Sequence, residues 1–334
     1  MGRQRTVSEV HPKTGWYAQL HMLMNFVGAV GYLMGGSGIE DILDSTFAGV
    51  AKMLTGKKYP QNVRALILLV EEILRPILSN TDVHTMAELT QCLVSKSTQS
   101  KTARLWIECL IYPVFIMMTF VRAEREADWP LHLFAVEKML PYFFSSGHVN
   151  YARYGLYYLR SMQRLHPDVL KRFMTGEHVM RHQDGLWNGI WSDLFIETTY
   201  MRYGHGPSGI IGSTLNETTL AIWAFSHSTL TQLLNDLKEI KEGDVPTVVN
   251  VRKEERHTRI KEDAADRVRI RETLSTCIDI LDTRKHPETG LINVFSGRII
   301  DDPTVNVYEA VDVGAAEQQA FESGWPTSFH LKLT

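Results

Sequence analysis

Apolar residues recur at three- and four-residue spacing along most of this chain, and each such run predicts a helix with one buried face. Between Trp16 and Met34 the series Leu20, Leu23, Met24, Val27, Val30 and Leu33 marks a first helix, which Gly35-Gly36-Ser37-Gly38 stops. A second helix is expected over residues 39–54. A third starts after Pro60, with Val63, Leu66, Ile67, Val70, Ile73 and Leu74 in one stripe and the charges Arg64, Glu71 and Glu72 off it. A weaker pattern covers 82–95, and the polar run from Ser95 to Lys101 reads as a surface connection. Further helices are expected over 102–126, 129–144, 149–164, 167–175, 186–203 and 217–241, with a short strand within 177–183.

The segment 102–126 is the most apolar, which predicts the central helix of the core. Leu105, Ile111, Val114, Phe115 and Met118 should be buried, and Pro113 should bend the helix because it removes one backbone bond and crowds the preceding turn. Its apolar stretch, Leu105 to Val121, contains Glu108 and Pro113 and reaches only the lower limit of a bilayer span. With amphipathic neighbours available to cover it, a buried helix is expected and no membrane.

After Gly243 the pattern changes. From Arg252 to Arg271 charged residues of both signs dominate, which predicts a solvated helix held by pairs one turn apart. The organisation expected is a disordered N-terminus (1–15), a helical core (16–243), a charged helix (244–285) and a tail (286–334) that docks on the core. The tail has β-prone pieces at 291–295 and 298–300 and a helix near 309–323. The fold class is mainly α, a multi-helix core with few short β segments.

Composition changes this picture little. An apolar fraction of 44% and a charged fraction of 22% are those of a globular chain of 334 residues. The formal charge of −3 gives no general attraction to nucleic acid, so any such contact needs a local patch. Cys92, Cys109 and Cys277 are odd in number and widely spaced, which predicts buried thiols in a reducing, intracellular setting, nucleus or cytoplasm.

Candidate chemistry concentrates in two places. Asp193 and Glu197 are four apart, so on a helix they share a face, where paired acids can hold a divalent metal or divide acid and base roles. Two surface acids paired with Arg202 are the plainer alternative. His178, His182 and His205 lie nearby but lack the H-E-x-x-H pattern, and the glycine-rich loop 204–212 lacks the phosphate-loop lysine. The second concentration is residues 147–162, where Arg153, Tyr154 and Arg160 could stack on bases and neutralise phosphates. Its alternative is a helix whose Tyr151, Tyr154 and Tyr158 face the core. No G-x-S-x-G or other nucleophile motif is present.

Three strings, LHMLMNFVGAVGYLMGGSGIEDIL (20–43), VRAEREADWPLHLFAVEKMLPYFFSSGHVNYARYGLYYL (121–159) and GLWNGIWSDLFIETTYMRYGHGPSGIIG (185–212), resemble a set of multicopy animal proteins of transposon-derived type. The likeness includes NVFSGRI and WPTSFH near the C-terminus. It implies the layout of a transposase with an RNase H-like core, of which this chain resembles the C-terminal part. Residues 39–176 would then be the helical insertion, and Glu197, with Asp193 as the lesser candidate, the late acid on the last helix. The expectation is a truncated, catalytically inactive protein with weak DNA binding through Arg153, Tyr154, Arg160 and Arg202. No cofactor is expected on the isolated chain; an active full-length ancestor would have held Mg²⁺ or Mn²⁺ on Glu197 and Asp193. The alternatives are a helical protein-interaction module without nuclease ancestry and a metal-dependent hydrolase using Asp193, Glu197, His182 and His205. No sequence feature specifies an oligomeric state.

Overall fold

A computed structural model describes residues 19–79, 83–181, 187–195, 218, 257–287, 290–300 and 309–324. The predicted disordered segment 1–15, most of the predicted helix 217–241 and the WPTSFH string lie outside them. The chain forms two compact units, residues 1–191 with 263–334, and residues 192–262.

The protein is mainly helical. In the first unit α1 (Gln19–Leu33) is buried on most of its surface, including Leu20, Leu23, Phe26, Val27 and Val30. The helix expected over 39–54 is instead split into α2 (Ile39–Asp44) and α3 (Val50–Lys52), the latter running into a π turn, Met53–Lys57. That turn packs backbone to backbone on α1. A Cβ on Gly31 would stand 2.2 Å from the Leu54 carbonyl oxygen, and one on Gly56 would stand 2.1 Å from that of Met24. Only glycine permits so close an approach.

α4 (Tyr59–Leu78) buries Leu66, Val70, Ile73 and Leu74 as its stripe predicts. Glu72 departs from expectation, because it too is buried. Next, α5 (Met86–Gln99) begins with a capping box, Thr85 Oγ1 accepting from Glu88 N–H while Glu88 Oε2 accepts from Thr85 N–H. The helix continues through the polar run Ser95–Gln99 that reads as a connection; Ser100 alone joins it to α6.

α6 (Lys101–Trp106), a π turn (Ile107–Ile111) and α7 (Tyr112–Glu126) make up the central apolar segment. Among the described residues it is the helix long and apolar enough to cross a membrane, and here Leu105, Trp106, Ile111, Val114, Met117 and Phe120 are buried in the protein. The expectation for Met118 is wrong, since it is 45% exposed, and Phe115 is only half-buried. The π turn explains the shift, because an i→i+5 turn inserts one residue and rotates the downstream stripe. Tyr112 N–H bonds to the Ile107 carbonyl across that turn, and Pro113 follows it at the start of α7. The backbone stays right-handed helical across both junctions, so Pro113 lies inside one continuous helix, Lys101–Glu126, just after the π turn.

α8 (Trp129–Ser145) is capped by Asp128 and packs against α1, α7 and α9 (Val149–Met162); α10 (Pro167–Met174) follows. The strand expected in 177–183 is present as β1 (Met180–Arg181), antiparallel to β2 (Gly189–Ile190) with Met180 opposite Ile190. The helix expected from Leu186 is thus displaced by β2 and starts only at Ser192, as α11 (Ser192–Phe195).

α12 (His257–Thr276) is the charged helix. Pairs within it, such as Asp266 with Arg269, match the expected pattern, but from Asp263 onward it is not simply solvated. Arg64 reaches Asp263 and Asp266, Glu71 meets Arg267, and Glu72 meets Arg271, so the numbers rise together and α4 and α12 run in the same direction. Ile270 is fully buried. A bridge between Ile292 and Ile299 joins the two β-prone pieces, and α13 (Ala310–Ser323) lies along α8.

Candidate functional site

The chain reverses between α7 and α8 at Ala127, whose φ of 59° is left-handed, and at the capping Asp128. This reversal brings His132 back beside Glu124, both almost completely buried. The Glu124 carboxylate accepts from His132 Nδ1, and His132 Nε2 lies 2.8 Å from the Tyr158 hydroxyl on α9. The ring thus bonds through both nitrogens, to Glu124 on one side and Tyr158 on the other. Trp129 stacks on His132 at 5.1 Å, and Phe120 lies at 5.4 Å. His178 packs at 5.8 Å with its Nδ1 turned to the Phe173 carbonyl.

A carboxylate, an imidazole and a hydroxyl in series is the order used to activate nucleophiles. Here the imidazole has no exposed surface, so the Tyr158 hydroxyl points into the protein rather than toward a substrate. The series acts as an internal tie joining α7, α8 and α9, and it fixes how α9 is presented. Sequence reasoning missed Glu124 and His132. The available signal was His132 sitting in the apolar stripe Trp129, Val136, Met139, Leu140 and Phe143, where a polar ring needs buried partners.

The outer side of α9 holds three of the predicted nucleic-acid residues. The buried face is made by Ala152, Gly155, Leu156 and Leu159, so the small residues, not the tyrosines, point inward. Tyr151 packs on Phe143 at the margin, and Tyr154 is 61% exposed, contrary to the reading in which it faces the core. Arg153 and Arg160 are seven apart and Arg164 four further, which keeps them on one side of the helix and its final turn. The Arg153 guanidinium stands 5.8 Å from the centre of the Phe321 ring, and Arg160 pairs with Glu322 at 3.2 Å. Arg164 has no ion-pair partner among the described residues. A cleft of about 320 Å³ between α9 and α13 is lined by Arg160, Arg164, Glu137, Gln318 and Glu322.

The acid pair is described in part. Asp193 is half-buried on α11, whereas Glu197 and Arg202 lie outside the described residues, as do His182, His205 and the loop 204–212. Among the described residues no group of three or more histidines, cysteines or carboxylates is placed to hold a metal ion. The three cysteines are free thiols, and burial pushes Cys109 up.

Helix packing with a polar tie and an arginine-bearing outer helix defines a mainly α protein. No curated protein and no solved structure matches it significantly. A family profile does match, over residues 3–94 and 83–329, and the chain belongs to that family, a domain of unknown function (DUF8702).

Proposed function

We propose that this chain is a transposon-derived helical protein that binds single-stranded nucleic acid through α9 and does not cut it. The observation that carries the reading is Tyr154, exposed beside Arg153 on a helix whose inner side is tied to the core. An exposed phenol ring offers a stacking platform worth about 1–3 kcal/mol per base, and neighbouring guanidiniums neutralise phosphates. The resemblance to transposon-derived proteins supports DNA as the polymer. In this reading Asp193 and Glu197 descend from a site of nuclease type that used Mg²⁺ or Mn²⁺, while binding is the activity that remains.

Fluorescence anisotropy with a labelled single-stranded oligonucleotide at low salt tests this. The protein should bind, affinity should fall steeply with salt, and Tyr154→Ala should weaken it about 5- to 100-fold. Absence of binding at low salt, or an unchanged affinity in Tyr154→Ala, would overturn the reading. Strand nicking with Mn²⁺ that disappears in Glu197→Gln would replace it with a catalytic one.

A further inference from the structure

Charge rather than apolar surface holds α12 on α4. Of the 20 residues of α12 only Asp266 and Ile270 are buried, while Ile260 and Val268 face solvent. The attachment is a ladder of long side chains. On α4 a cation, Arg64, precedes two anions, Glu71 and Glu72; on α12 two anions, Asp263 and Asp266, precede two cations, Arg267 and Arg271. Arg64 bonds Asp263 at 2.6 Å and also Asp266, Arg267 bonds Glu71 at 2.7 Å, and Arg271 bonds Glu72 at 2.8 Å.

This order of charges admits one register and one direction. Sliding α12 by one turn either way sets Arg64 beside Arg267 or Glu71 beside Asp263, and reversing it sets arginine against arginine and acid against acid. Because the two helices run in parallel, their macrodipoles add nothing favourable, and the ladder alone fixes the docking. Arg64 is pinned from its other side as well, its guanidinium standing 5.4 Å from the centre of the buried Phe47 ring. The later rungs stay open to water: Glu71 is 44% exposed, Arg267 33% and Arg271 48%. Ion pairs of that kind are individually weak and weaken further as salt rises.

We propose that α12 is a clasp gated by ionic strength. In dilute salt it is docked on α4 in its single register. As ionic strength rises it lifts away as one helix while α8 and the core around it stay folded, and its departure uncovers Arg64 on Phe47 together with the carboxylates of Glu71 and Glu72. Opening is easy because one isoleucine is exposed and each freed ion regains water.

Hydrogen–deuterium exchange of the full chain at neutral pH tests this in about 0.1 and about 1 M NaCl, between which the Debye length falls from about 10 to about 3 Å. Amides of residues 263–276 should exchange at least about tenfold faster in the higher salt, a factor of about two for each of the four contacts, while those of Ala135–Leu140 on α8 keep their rate. In the lower salt Arg267→Glu should speed the same α12 amides about tenfold, and Glu71→Arg added to it should bring them within about threefold of the parent by rebuilding the rung with its charges exchanged. Where Arg267→Glu does not fold by circular dichroism, Arg267→Gln replaces it, with a gain of about threefold expected. Exchange in α12 that ignores salt, or that rises together with α8, overturns the clasp. A double variant as fast as Arg267→Glu also overturns it, since the rung would then not act through charge.

Discussion

Arg271 Nε lies 2.8 Å from Glu72 Oε2, so a guanidinium late in α12 closes over a carboxylate on α4 whose side chain has no exposed surface. Arg75 holds the same carboxylate from within α4 at 2.6 Å. A buried charge with one partner removed is expensive, because the remaining ion has already left water. Arg271→Ala should therefore lower stability by about 1–3 kcal/mol in urea melts, with Arg75 retaining part of the compensation. Arg122→Ala, whose side chain is 62% exposed beside Glu126, should be near neutral. Equal effects of the two would reject the docking of α12 described above.

Acid should unfold the protein in two stages. Burial holds His148 and His286 below the ordinary imidazole value of 6.5. His286 is satisfied as a neutral ring, its Nε2 donating to the Asp279 carbonyl and its Nδ1 accepting from Ser100. A depressed imidazole leaves the unfolded chain binding more protons, so stability is complete above about 6.5 and declines as pH falls below it. For Glu72 burial acts to raise the carboxyl, but the bonds and charges of Arg75 and Arg271 outweigh it and bring it down to about 2. Its contribution is present above about 4.5 and is lost between there and about 2, on the order of 1–2 kcal/mol after allowing for screening of half-exposed guanidiniums. Melting temperatures from pH 8 to 3 should fall in both windows, and Ser100→Ala should alter the first alone.

How far the fold was legible depends on whether local periodicity or long-range geometry decided each element. Helices α1, α4, α8 and α9 follow their apolar spacing closely, because the spacing itself creates the buried face, whereas α10 forms where expected with none of its residues buried. Met118 was misplaced because one extra residue in a π turn rotates everything after it, and no composition signal marks that insertion. Glu72 looked like a surface charge because its partner, Arg271, lies 199 residues away. Tyr154 was open to a core reading because its size suggests burial, whereas the close packing of α9 uses Ala152 and Gly155 instead. The relay from Glu124 to Tyr158 needed a reversal and two helices to assemble, so only the misfit of a histidine in an apolar stripe hinted at it.

Contact between α1 and the π turn predicts the effect of a single methyl group. Gly31→Ala would drive a Cβ into the Leu54 carbonyl, with 2.2 Å available, and the backbone on both sides is committed to helical bonds. Overpacking of this kind typically costs about 1–3 kcal/mol, despite the gain in helix propensity from alanine. Gly35→Ala, which faces only the Tyr32 carbonyl at 3.2 Å, should cost less. Urea midpoints of the two variants compare them directly.

The tie through His132 predicts a coupling between core chemistry and the outer face of α9. Tyr158→Phe removes the hydroxyl that bonds His132 Nε2 and leaves a buried nitrogen without that partner, at about 1–3 kcal/mol. His132→Phe removes the ring that both Glu124 and Tyr158 need, leaving a buried carboxylate, and should cost more than Tyr158→Phe. Because Tyr154 lies one helical turn before Tyr158, loosening α9 should also quicken amide hydrogen exchange over Val149–Met162 before α4 or α7 responds. A purely local role would lower the melting temperature and leave that exchange pattern uniform. If Tyr158→Phe matches the parent in both stability and exchange, the hydroxyl does not hold α9, and the presentation of Tyr154 must come from the apolar packing of Leu156 and Leu159 alone.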